Sequence, residues 1–418
     1  MNLTVTTKYV CGIDLHAREM SVCVKSIDGK VLMKRNISCD IKVFMNYIEP
    51  FKKSLTVGVE STYNWYWLLD ELKKHKITCA LGHALYIKRM KGGKHKNDPV
   101  DASDIADMLR TNHFPLAYDY PSEMRSCRDL FRRRHFFVRK RAASYTHFQN
   151  TFTQYGLLDP VYALVKIQGK RRDLLKWSVD DDMRKILETD LDYIDSLDEI
   201  IKDLENQAIK QARYHNRKHL DLLQTIIGCG PVTALSILYE THTISRFATP
   251  QRYSSYCRVI GADNESSGKY LGHSSSDKIG NPYLKWAFSE IAIHMLKDSP
   301  EAKEWFNNVF ASCGASGARA RLRHKLAVAV YHMLKKNVVF DEFKFFNITN
   351  DRTGSSAHNW METSGEKSKP SGVIGKKSGH SSKSTKTKTK KSITVKNKVS
   401  VNKTSGRKTL RTTGKVKA

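Results

Sequence analysis

No run of apolar residues in this 418-residue chain reaches the ~18 needed to span a bilayer. The first residues lack the basic start and apolar core of a signal peptide. Close cysteine pairs are missing as well. Cys11, Cys23, Cys39, Cys79, Cys127, Cys229, Cys257 and Cys313 are scattered with no CxxC spacing. That pattern argues against a zinc site and reads as reduced, small, buried side chains. Acid is in deficit: 42 Asp and Glu face 71 Lys and Arg, for a net charge of +29. Such an excess suits a polyanion. With no membrane segment in view, a soluble intracellular protein whose polyanion is nucleic acid is expected.

The N-terminal part reads as strands and helices in turn. Tyr9 to Asp14, Met20 to Lys25 and Val31 to Ile37 read as three strands, with a hairpin signal at Asp28-Gly29. A helix is expected over Ile41 to Lys53, a strand over Thr56 to Glu60, a helix over Trp65 to His75 and a strand over Ile77 to Leu81. A further helix starts at Asp98. This is the order of an α/β ribonuclease-H-like domain, a mixed sheet flanked by helices. A long, very basic helix follows over Glu123 to Tyr155. A second long helix covers Met183 to His215, and its seam of Leu187, Ile194, Leu197, Ile201, Leu204 and Ala208 predicts a coiled coil. The C-terminal unit is mostly α. It has a tight Gly228-Cys229-Gly230-Pro231 turn between helices, a helix near Tyr283 to Leu296 and another near Ala318 to Leu334. After Asp351 come 18 Lys and Arg against Glu362 and Glu366. With almost nothing to bury, that tail is expected to be disordered.

Four carboxylates carry the chemistry. Asp14 and Glu60 end two strands, and Asp98 and Asp101 share one face at the head of a helix. Hard oxygen ligands at this density suit two magnesium ions, which act on a phosphate by activating one oxygen and stabilising another. Plainer readings exist. Asp98 is also a good N-cap before Pro99 at N1, and an acid at a strand end is often only solvated. Asp104 and Asp107 continue the row and compete with Asp101, although a solvated helix face is the reading preferred for them.

The segments GIDLH (Gly12 to His16), VGVEST (Val57 to Thr62) and KHKNDPVDA (Lys94 to Ala102) resemble the Asp-Glu-Asp-Asp tetrad of the insertion sequence 110 transposases. TIIGCGPVTA (Thr225 to Ala234), ISRF (Ile244 to Phe247), ESSGKYLG (Glu265 to Gly272) and GNPYLKWA (Gly280 to Ala287) follow in that family's order. The related 1111 and 116/902 groups share the pattern, and the resemblance spans roughly residues 8 to 345. Asn97-Asp98 stands where the family usually has Thr-Asp or Ser-Asp, and Ile279 where a basic residue is common. The resemblance implies a RuvC-like nuclease domain over 8–118 and a basic helix and coiled coil over 119–219. It also implies a C-terminal transposase domain over 220–346 with a catalytic serine, Ser267, and leaves the tail 351–418 outside.

By that resemblance the protein is a magnesium-dependent transposase, with manganese as a substitute metal, in which Asp14, Glu60, Asp98 and Asp101 hold the ions. Ser267 forms a covalent serine–DNA intermediate. An element-encoded bridge RNA pairs with donor and target DNA. The active sites are shared within a homo-oligomer, and the location is the prokaryotic cytoplasm, at the nucleoid. Taken alone, Ser-Ser-Gly is an ordinary turn. Nucleic-acid contacts are expected from Arg125, Arg128, Arg132, Arg133, Arg134, Arg139 and Lys140, against the plainer reading of a solvated helix face. Gly228 and Gly230 read equally as a phosphate-touching hairpin or a plain turn. Lys94, His95 and Lys96 are placed to steer phosphate toward the tetrad. Two rival functions stand beside the first: a RuvC-like endonuclease or junction resolvase in which the serine is irrelevant, and a domesticated nucleic-acid-binding protein without catalysis.

Overall fold

Short, largely apolar segments buried on both faces build the centre of the first sheet. In a computed structural model the strands are β1 (Tyr9–Leu15), β2 (Glu19–Ser26), β3 (Val31–Ser38), β4 (Leu55–Glu60) and β5 (Thr78–Gly82). The structure describes residues 3–90, 98–157, 164–260, 262–266, 269–274 and 279–347. The strand order is β3-β2-β1-β4-β5. β1 pairs antiparallel with β2 and parallel with β4; β2 with β3 is antiparallel and β4 with β5 parallel. Gly29 supports the β2–β3 turn with φ +96°, a conformation that favours glycine.

Helices α1 (Ile41–Ile48), α2 (Trp65–Lys74), α3 (Ala84–Met90) and α4 (Asp98–Arg110) flank this sheet. The expected helix to Lys53 stops at Ile48, and a separate 3-10 turn covers Lys52–Ser54. Pro50 explains the stop, since it lacks the N–H that would continue the ladder and its ring crowds the preceding turn. Helix α3 was not anticipated.

The period of two sorts the sheet residues. Cys11, Ile13, Leu15, Val57 and Val59 join Phe44 of α1 and Leu68, Leu69 and Leu72 of α2 in one core. On the other face Val10 packs with Ile105, Ala106 and Leu109 of α4. Gly12 and Gly58 lie on that second face. A Cβ on Gly12 would collide with the Ala102 carbonyl oxygen and lie 2.5 Å from the Ala106 nitrogen; one on Gly58 would lie 2.8 Å from Leu109 Cδ1. The two glycines therefore let α4 lie directly on the sheet.

Two long helices follow, α5 (Ser122–Gln154) and α6 (Asp181–His215), packed antiparallel. Phe148 and Phe152 near the end of α5 meet Met183, Leu187, Leu191 and Ile194 near the start of α6. Cys127 and Phe131 at the start of α5 share a core with Ala208 and Ala212 at the end of α6. Of the expected seam, Leu187, Ile194, Leu197, Ile201 and Ala208 are buried and Leu204 is partly so.

The remainder is mostly helical: α7 (Arg217–Gln224), α8 (Pro231–Thr241), α9 (Pro250–Tyr256), α10 (Pro282–Asp298), α11 (Pro300–Lys336) and α12 (Glu342–Phe346), with a hairpin of β6 (Ala262–Ser266) and β7 (Lys269–Ser274). α8 is buried from Thr233 to Thr241 and forms the centre of this core. The hairpin was not expected. α11 begins 18 residues before the predicted Ala318, on a Ser299 cap with Pro300 behind it, and breaks its helical geometry at Gly314. All eight cysteines are free thiols. No described helix is long and apolar enough to cross a membrane. The tail 351–418 lies outside the described residues.

Candidate catalytic site and nucleic-acid contacts

Strand register brings two of the expected acids together. β1 and β4 run parallel with Ile13 opposite Val59, so Asp14 and Glu60 are the next residues on neighbouring strands. Each follows by two a glycine that faces α4, so each belongs to the α4 face of the sheet. Asp14 is buried at 8 % exposure and Glu60 is half-buried. The close approach of α4 supplies the third acid. Asp101 precedes Ala102, whose carbonyl sits over Gly12. Moving along β1 from Val10 to Gly12, the α4 neighbours shift back toward Ala102, so the helix start lies toward Asp14. Asp98 begins α4, and its side chain lies outside the described residues, as do Lys94, His95 and Lys96.

The surroundings of the acids are tied together. The Nε2 of His16 lies 3.4 Å from Asp14 Oδ2. Asn64 Nδ2 donates to the His16 carbonyl at 2.7 Å, linking the loops that follow β1 and β4. Across β2, Ser21 stands opposite Asp14 and donates to Asn36 at 2.7 Å. Ser61, just after β4, donates its N–H at 2.9 Å to the carbonyl of Gly82, the last residue of β5. His83 follows there, and burial lowers the pKa of its imidazole, favouring the neutral form.

Among the described residues, no group of three or more His, Cys, Asp or Glu is already gathered as a metal cage. The donor chemistry nevertheless fits a hard divalent cation. Asp14, Glu60 and Asp101 offer only carboxylate oxygens, from three elements held at one end of one sheet.

Asp107, a competitor for Asp101, has another task. Its carboxylate accepts from Lys25 Nζ at 2.5 Å and from Arg110 Nε at 2.6 Å. Burial works against its charge, but these two cations outweigh that and hold its carboxyl below the usual range. Lys25 is only 5 % exposed, so Asp107 neutralises a buried ammonium.

The basic helix is where the expectation narrows most. Arg125 is 5 % exposed; its Nη1 donates to Asp70 at 2.7 Å and its guanidinium lies over the rings of Trp65 and Tyr66. Arg128 donates to the Tyr66 hydroxyl at 2.6 Å and lies 3.8 Å from the Tyr120 ring centroid. Arg132 makes a two-pronged pair with Glu240 at 2.7 and 2.8 Å, and Arg134 pairs with Glu205. These four arginines hold α5 to its neighbours rather than forming a cationic stripe. Arg133, Arg139 and Lys140 are exposed. Arg133 and Lys140 flank the exposed ring of Phe136, at 5.8 and 5.5 Å from its centroid.

The glycine turn divides similarly. Gly228 has φ +80°, and a Cβ there would lie 2.6 Å from the Met295 nitrogen of α10. It is committed to packing. Gly230 is exposed at the start of α8 with open space around it.

Ser267 lies outside the described residues; on either side of it, Ser266 of β6 pairs with Lys269 of β7. A network that sequence reasoning missed anchors the chain just beyond this hairpin. Asn281 caps α10 by accepting from Tyr283 N and Leu284 N, and its Nδ2 donates to Glu240 at 2.7 Å. Glu240 is 2 % exposed and already bound to Arg132. The Asn-Pro within GNPYLKWA was the available signal, as a helix start.

Residues 11–157 match the transposase family of the Asp-Glu-Asp-Asp IS110 type, and residues 220–307 match the family described as Transposase IS116/IS110/IS902. No curated protein matches the chain. The two matched segments together cover more than half of the sequence, in the order that the fold and its acids lead one to expect. The chain belongs to the IS110 family of transposases. It is thus an enzyme of DNA transposition, and its substrate is DNA.

Proposed function

We propose that this transposase cuts and rejoins DNA with magnesium through a serine–DNA ester, guided by an RNA encoded with it. The observation that carries the reading is the meeting of Asp14, Glu60 and the head of α4 at one end of the sheet. The strand order β3-β2-β1-β4-β5, with its antiparallel-to-parallel change at β1, supports a ribonuclease-H-like, RuvC-like domain over 8–118. The linker over 119–219 and the transposase domain over 220–346 complete the organisation.

Asp14, Glu60, Asp98 and Asp101 would hold the metal pair, with manganese able to replace magnesium. Bound there, two divalent ions polarise a scissile phosphate and neutralise the charge that develops on it. The rest is done by the chain. His16 orients the Asp14 carboxylate. The Ser267 Oγ–phosphorus bond forms as the bond from phosphorus to the leaving nucleotide oxygen breaks, and the hydroxyl proton passes through solvent to that leaving oxygen, which departs as a free hydroxyl. The ester keeps the phosphodiester energy, so rejoining needs no ATP. Ser267 of one protomer serves the acids of another, which makes a homo-oligomer necessary. Arg133, Arg139, Lys140 and Gly230 are the contacts left for the backbone of the guide RNA or DNA.

The test is denaturing electrophoresis of labelled DNA with full-length protein and Mg²⁺, followed by mass spectrometry of the DNA-linked peptide. Wild type should form an adduct at Ser267, Ser267→Ala none, and Ser266→Ala a substantial amount. An adduct that survives in Ser267→Ala, or maps to Ser266 or to Ser274, Ser275 or Ser276, sinks the assignment. Cleavage by wild type with no adduct favours water as the nucleophile and the resolvase-type rival.

A further inference from the structure

The loop after Glu60 and the first turn of α2 carry an aromatic run, Tyr63, Trp65, Tyr66 and Trp67, whose members have different surroundings. Trp65 is 7 % exposed and lies beneath Arg125. The Tyr66 hydroxyl accepts from Arg128, and Trp67 packs against the sheet core. Tyr63 is 80 % exposed, the highest value for a large hydrophobic residue among the described residues. Its backbone is nevertheless well anchored. Thr62 N–H donates to the Glu60 carbonyl at 2.8 Å, and the Thr62 hydroxyl donates to Asn64 Oδ1 at 3.0 Å. Asn64 in turn holds the loop that follows Asp14. The two neighbours of Tyr63 are thus fastened to the strand ends that carry Glu60 and Asp14, while its ring is left in water.

We infer that Tyr63 is a stacking platform for an unpaired nucleobase beside the acidic end of the sheet. The inference rests on reading that end as the place where DNA strands are cut. A strand opened for cleavage exposes base faces, and every base offers a π-face to a flat ring, so stacking is strong and tolerant of sequence. A ring on an already ordered loop loses little freedom when a base settles on it. A single exposed aromatic is common on protein surfaces and by itself means nothing. Tyr214 is such a residue: 78 % exposed, on the last turn of α6. Tyr63 differs by its place, three residues beyond Glu60 on a loop pinned to both acid-bearing strands.

The experiment titrates full-length protein into short single-stranded oligonucleotides carrying 2-aminopurine at successive positions, reading fluorescence and affinity at two salt concentrations. Wild type should quench the probe. Tyr63→Ala should lose the quenching and bind about tenfold more weakly, with an unchanged salt slope because no charge has been removed. Tyr63→Trp and Tyr63→Phe should both behave as wild type, and so should Tyr214→Ala. Wild-type quenching and affinity in Tyr63→Ala overturn the inference, as does a Tyr63→Phe variant as weak as Tyr63→Ala, which would assign the effect to the hydroxyl. Asp14→Asn should quench like wild type. Its cleavage activity tests the catalytic reading separately, so the two ideas fail by different measurements.

Discussion

The α5–α6 helix pair and the acidic end of the sheet handle charge in opposite ways. Along the helix pair, arginine meets carboxylate: Arg134 with Glu205, Arg141 with Asp198, Arg171 of the 3-10 turn Arg171–Trp177 between the two helices also with Asp198, and, at the contact with α8, Arg132 with Glu240. At the sheet end, acid neighbours acid along the backbone, with Asp14 and Glu60 at the ends of adjoining strands and Asp101 on the helix above. Pairs of opposite sign are part of what keeps α5 in place. Neighbours of like sign oppose folding and are kept where they serve a purpose beyond it. The lesson is that the sign of a cluster in sequence says little until the fold reveals what faces it. Of seven basic residues on one helix, Arg125, Arg132 and Arg134 meet acids supplied by other elements, whereas acids far apart in sequence come to stand on adjoining strands.

The largest expected effect comes from breaking the like-charged cluster. Asp14→Asn should lower DNA cleavage by on the order of a thousandfold, equivalent to about 4 kcal/mol of transition-state stabilisation. Its melting temperature should stay within a few degrees of wild type, because the amide keeps the shape of the carboxylate. Asp98→Asn is the stricter case, since Asn caps a helix as well as Asp does. Full activity in Asp98→Asn would reduce Asp98 to a cap. A large fall in melting temperature with Asp14→Asn would mean that Asp14 belongs to the structural charges after all.

Much of the sheet half could be read in advance because its information is local. Short apolar runs mark β1, β4 and β5, and alternation marks β2, to within a residue or two, and Asp14 and Glu60 stand where apolar strands end. Even the close approach of α4 had a signal, in Gly12 and Gly58 each placed two residues before an acid. The arginine partners had no such signal. Arg132 and Glu240 are 108 residues apart, and Lys25 and Asp107 are 82 apart. The hairpin Ala262–Ser274 has little apolar alternation to reveal it. The start of α11 was visible in Ser299-Pro300 but was obscured by Gly314 and Gly317, which weaken any helical pattern.

The adjacent residues Arg132 and Arg133 make the comparison sharp. Arg132→Met leaves Glu240, 2 % exposed, without its cation and should destabilise the fold by about 3 kcal/mol. Arg133→Met touches an exposed side chain and should leave stability within about 0.5 kcal/mol of wild type. Nucleic-acid binding should respond the other way. Arg133→Met should weaken it and reduce the salt slope by about one ion. Denaturant titration and binding isotherms at several salt concentrations check both arms. A destabilised Arg133→Met, or a stable Arg132→Met with an altered salt slope, would exchange their roles.

The smallest effect expected is a pH dependence inside the helix pair. Burial disfavours the charged form of Asp198, but Arg171 and Arg141 both hydrogen-bond to it and hold its carboxyl below the ordinary carboxylate range. A carboxyl whose pKa is lower in the folded than in the unfolded state contributes stability above the unfolded value. That contribution is lost as pH falls through the folded one. Asp198→Asn keeps the shape and an accepting oxygen but not the charge, so it should be less stable than wild type by about 1 kcal/mol near neutrality. The difference should hold steady down to about pH 5, shrink below about pH 4, and vanish once the wild-type carboxyl is protonated. Arg171, at 1 % exposure, makes the test demanding, because its guanidinium is buried against this carboxylate. Denaturation curves of the two proteins across this range give the answer. A stability difference that stays constant to the lowest pH would mean that Asp198 acts through packing and neutral hydrogen bonds, and that its pairing with arginine adds no stability.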